Sequence, residues 1–75
     1  MNVEEALKAI DHLLALIDDL ENEDHRTYIR GEEFFESIRE NASDMRETIE
    51  KVGRVSDRQE QTIENWTAGV AKWFH

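Results

Sequence analysis

GRVSDRQEQTIENW, residues 53–66, decides how this chain folds, because a stop, a turn and a start follow one another inside it. Gly53 closes an apolar-periodic segment and has no Cβ, which suits it to the left-handed position that ends many helices. Ser56 and Gln59 then spell S-x-x-Q, a capping box in which each side chain satisfies a free backbone N–H of the other residue. Beyond the box, Ile63, Trp66, Val70 and Trp73 recur at spacings of three and four, the period of a helix with one buried face. The stretch therefore predicts two helices, about 32–52 and 57–74, paired as an antiparallel hairpin across a tight turn.

Working outward, the helix upstream of Gly53 carries a stripe of Phe34 or Phe35, Ile38, Ala42, Met45, Ile49 and Val52. It opens after Gly31 with Glu32 and Glu33, acids at the positive end of the helix dipole. On its outer face Glu47 with Lys51 and Glu50 with Arg54 stand at favourable i,i+4 spacing. Before it, residues 22–31 (NEDHRTYIRG) read as a connection, pinned to the core by Tyr28 and Ile29. The first helix, about 3–21, starts at Asn2, whose side chain pairs with Glu5 as a second capping box. Val3, Leu7, Ile10, Leu14 and Ile17 form its main stripe, and Leu13, Leu16 and Leu20 widen it. So wide an apolar face predicts cover on two sides, by the rest of the chain and by a second copy. The expected fold is all-α, one domain over residues 1–75, three helices in a bundle, assembled as a homodimer. At the far end, adjacent Trp73 and Phe74 cannot both face one core, and Trp73 extends the stripe.

Composition narrows the function. With 75 residues and no cysteine, the chain has one core and neither disulfides nor thiolate metal sites to reinforce it. Charged residues make up 36% of it, and no apolar run approaches the ~20 residues of a membrane span. The opening MNVEEALKAI carries acids where a signal peptide carries bases, so a cytoplasmic protein is expected. The net charge is -9. Residues 1–36 hold eleven acids and three bases, residues 37–75 seven acids and six bases. Such a field repels nucleic-acid backbones and attracts basic partners.

The pattern F-x-x-S-I followed by G-x-V-S-x-R-Q and an apolar helix resembles a small helical module common in phage-encoded proteins. It is carried by Phe34 (or Phe35), Ser37, Ile38, Gly53, Val55, Ser56, Arg58 and Gln59, and spans about residues 34–74, leaving the first helix outside. The resemblance implies a phage or prophage origin and a host-cell location. In that family the module often accompanies zinc-binding segments in proteins of DNA metabolism; this chain has no cysteine with which to hold zinc.

Two sites follow from the residues. Asp18, Asp19, Glu21, Glu23 and Asp24 crowd the end of the first helix, where acids oppose the dipole. Glu32, Glu33 and Glu36 lie just across the connection. Together these eight predict one negative surface for a basic host protein, such as a nuclease or another nucleic-acid-handling protein, with carboxylates standing in for phosphates. The alternative is a helix–turn–helix regulator in which Arg58 and Gln59 reach base edges and Arg54 a phosphate. Catalysis has no such support. Glu32, Glu33 and Glu36 spell E-E-x-x-E, which resembles half of the magnesium signature of all-α nucleotide pyrophosphatases. The second pair, Glu47 and Glu50, falls on the same helix, and converging acids need two. The acidic run lacks a calcium-loop glycine, and His12 and His25 have no partner histidine at ligand spacing. No enzyme activity, metal or cofactor is expected.

Overall fold

The computed structural model describes residues 1–74 and is all-helical. Its elements are α1 (Val3–Glu23), α2 (His25–Arg30), α3 (Glu32–Val52) and α4 (Asp57–Ala71). Both capping boxes form. Glu5 N–H donates to Asn2 Oδ1 at 2.8 Å and Asn2 N–H to Glu5 Oε1 at 3.1 Å; Gln59 N–H donates to Ser56 Oγ at 3.1 Å and Ser56 N–H to Gln59 Oε1 at 2.9 Å. Gly53 ends α3 at φ 80°, its N–H donating to the Ile49 carbonyl.

The connection at 22–31 is not a loop but a helix of its own. Asp24 makes the break: its N–H closes α1 on the Leu20 carbonyl, while its carboxylate receives Thr27 Oγ1 at 2.7 Å and Thr27 N–H at 3.4 Å to start α2. Six residues form no stable helix alone. What holds α2 is Tyr28, which is buried, while Ile29, expected beside it, points outward and is 53% exposed. The last helix stops at Ala71, earlier than its apolar period suggests. Trp73 and Phe74 follow in a tight turn, their N–H groups donating to the Val70 and Ala71 carbonyls.

The bundle measures 38 × 19 × 17 Å, and α1 is its axis. Both α3 and α4 lean on α1 more than on each other, although the 53–56 turn joins them directly. Arg39 and Arg46, two turns apart on α3, grip Asp18 and Asp11, two turns apart on α1 in the opposite order, so these helices run antiparallel. The core joins Ala6, Ile10, Leu13, Ile17 and Leu20 of α1 to Tyr28, Phe35, Ile38, Ala42, Ile49, Ile63 and Val70. Of the three leucines expected to need a second copy, Leu13 and Leu20 are buried within their own chain and Leu16 is half-buried, because α2, α3 and α4 all pack on α1. Phe35 fills the core and Phe34 lies on its rim; Val52, placed in the buried stripe by its spacing, is 58% exposed because it sits at the very end of α3. The i,i+4 pairs read from the outer face do not form. Glu50 bonds Arg46 instead, and Arg46 reaches across to Asp11 at 3.0 Å.

Candidate acidic binding surface

The fold brings the two acidic groups to one end of the molecule. The end of α1, all of α2 and the start of α3 meet there, and the chain returns to it at Trp73 and Phe74. Within residues 18–39, eight acids stand against Arg26, Arg30 and Arg39 in sequence, a formal charge of -5. The eight are not equivalent.

Three are gathered by Arg39. Its Nη2 donates to Asp18 Oδ1 at 2.5 Å and to Glu21 Oε1 at 2.9 Å, and its Nη1 lies 3.5 Å from Glu36 Oε1. The same Nη1 donates to Tyr28 Oη at 2.9 Å, and Tyr28 Oη donates onward to Glu36 Oε1 at 2.9 Å. One guanidinium thus ties α1, α2 and α3 together. Burial works against the charge on Arg39, but the hydrogen bonds to Glu21 and Asp18 outweigh it and hold its pKa above the ordinary guanidinium value. Burial, reinforced by the hydrogen bond to Glu36, pushes the Tyr28 phenol up to about 12. A fourth acid, Asp24, is the α2 cap.

The remaining four, Asp19, Glu23, Glu32 and Glu33, are exposed and make no hydrogen bond or ion pair among the described residues. Glu32 and Glu33 are favoured by the α3 dipole; Asp19 and Glu23, near the C-terminus of α1, are opposed by it. The expected negative surface therefore divides into acids engaged by the fold and acids left to solvent. Arg39, which sorts them, was not singled out in the sequence. Its place beside Ile38 on the margin of the α3 stripe was the only signal, and its partners are 18 and 21 residues away.

The residues of the DNA-contacting alternative lie at the opposite end, in the turn between α3 and α4. Arg54 and Arg58 are exposed and unpaired among the described residues, whereas Gln59 is held in the cap by both its side-chain and backbone bonds. His25 stacks on Tyr28 and its ring nitrogen meets the Glu21 carbonyl at 3.3 Å, a local contact closing the α1–α2 corner. Among the described residues no three His, Asp or Glu side chains are grouped to hold a metal ion, and no helix is long and apolar enough to cross a membrane. The chain matches no family model, no curated protein and no solved structure.

Proposed function

We propose that this is a non-catalytic binding protein whose acidic end occupies a basic surface on a partner protein, its carboxylates standing where nucleic-acid phosphates would. The observation that carries the reading is the division among the acids. Asp18, Glu21, Glu36 and Asp24 are accounted for by Arg39 and by the α2 cap. Asp19, Glu23, Glu32 and Glu33 have no such task, and two of them oppose a helix dipole. Charge concentrated at one end of an elongated molecule steers it end-on toward positive surfaces and excludes anionic ones. On the resemblance of residues 34–74, the partner would be a nucleic-acid-handling protein of a host cell.

The test is a competition. A labelled DNA duplex is bound to a lysine-rich nucleic-acid-binding protein such as linker histone, and the chain is added at rising salt. Displacement of the duplex that weakens with salt, and is lost when Asp19, Glu23, Glu32 and Glu33 are changed to lysine with helicity retained, is the expected result. Direct binding of the duplex at low salt, abolished by Arg54→Ala and Arg58→Ala, would instead establish the DNA-contacting alternative.

A further inference from the structure

The acidic end is also where the chain exposes most of its large apolar side chains. Of Met1, Ile29, Phe34, Val52 and Phe74, three surround the half-buried Trp73. Trp73 is the shared wall of two adjoining grooves. One, of about 630 Å³, is lined by Ile29 and Phe34 with the carboxylates of Glu32 and Glu33; the other, of about 200 Å³, by Leu20 and Phe74 with Asp19 and Glu23. The floor is firm. Trp73 stands edge-on to buried Phe35 at 5.3 Å between ring centroids and stacks against Phe34 at 6.5 Å. Both Phe35 and Trp73 close over the backbone of Gly31, where a Cβ would come within 2.8 Å and 3.0 Å of their rings. All four unengaged carboxylates thus border one aromatic platform.

We propose that this platform docks a short cationic segment of a partner protein in which one large apolar side chain lies between lysine or arginine residues. The apolar side chain seats on Trp73, and the flanking cations meet Glu32 and Glu33 on one groove and Asp19 and Glu23 on the other. This rests on the acidic-surface reading and names the chemistry of its partner. Charge complementarity chooses the occupant. An uncharged apolar partner would strip water from carboxylates and return no counter-charge. An anionic one is repelled, and a second copy joined symmetrically would set the same carboxylates against themselves. Arg30 is the single cation lining either groove among the described residues.

The experiment uses the full chain carrying Trp66→Phe, which leaves Trp73 as its only tryptophan. Two synthetic peptides are titrated in, both with paired lysines on each side of a central leucine or a central serine. The leucine peptide should shift Trp73 emission and bind at least about tenfold tighter than the serine peptide, the expected worth of one buried aliphatic side chain. Ile29→Ser with Phe74→Ser, both exposed positions, should bring the leucine peptide down to the level of the serine peptide and leave the latter unchanged. Equal binding of the two peptides, lost on lysine reversal of the four acids, overturns the platform and leaves the acidic-surface reading standing. Failure of both peptides, together with failure to displace the duplex above, overturns both. Sedimentation showing a dimer that Ile29→Ser dissociates would give the platform to a second copy and overturn the proposal.

Discussion

The two ends of this bundle carry polar groups of equal promise and use them differently. At the α3–α4 turn, Gly53, Ser56 and Gln59 are engaged in ending one helix and starting the next, with partners within four residues. At the acidic end, Arg39 collects Asp18, Glu21, Glu36 and Tyr28 from three helices and still leaves four carboxylates beside an aromatic platform. A polar residue is evidence for a binding surface only after the demands of the fold have been met. By that standard the turn leaves two cations over, Arg54 and Arg58, and the acidic end leaves four carboxylates gathered at an aromatic platform.

The largest effect is expected at Arg39. Arg39→Met removes the tie and leaves three carboxylates converging on an apolar side chain, and it should cost about 3 kcal/mol in urea unfolding, less at high salt. A loss below about 1 kcal/mol would mean that the acidic end holds together without its clamp. The same end has a pH signature. Tyr28 is the only tyrosine, and its phenol titrates near 12 when folded against 10 in the unfolded chain. Because the folded pKa is the higher one, neutral Tyr28 contributes its full stability below pH 10 and loses it as pH rises through 12. Tyrosinate absorbance should therefore appear late and together with loss of helicity; a reversible transition at pH 10 in the folded chain would show the phenol to be solvated.

The turn should respond more moderately. Gly53 lies at φ 80° with open space where a Cβ would stand, so Gly53→Val should cost about 2 kcal/mol, chiefly as backbone strain. Ser56→Ala should cost about 1 kcal/mol through the lost cap. If either variant kept wild-type melting but lost partner binding, the turn rather than the acidic end would be the contact site. The smallest effect is the sharpest. Neutralising Asp19, Glu23, Glu32 and Glu33 to Asn or Gln should change stability by no more than about 0.5 kcal/mol each, because nothing in the fold depends on them. A loss comparable to Arg39→Met would remove the distinction between engaged and surplus acids.

Much of the architecture was legible in advance, and the reason is range. The starts at Asn2 and Ser56 and the stop at Gly53 depend on contacts a few residues apart, whereas Trp73 packs on the core from the turn that follows α4. Ile29 and Val52 were misjudged for the opposite reason. Each is apolar and in a plausible place, but burial depends on what the packed helices set opposite it, and both side chains are left exposed. The short α2 was missed because its capping signal, Asp24 with Thr27, sits in a run of charges that reads as a loop.

Local pattern is enough to establish that the chain is helical, where the longer helices start, and that the negative charge is concentrated in its first half. Those properties follow from bonds and spacings within a turn or two of the backbone. The packing of the helices is what buries Leu13 and Leu20 within one chain, lets Arg39 engage three of the eight acids, and sets the four unengaged ones beside Trp73. The physical reason is that these outcomes depend on which groups the packed helices bring within hydrogen-bonding distance. Arg39 meets Asp18 and Glu21 across 21 and 18 residues of chain, a separation that no local pattern encodes.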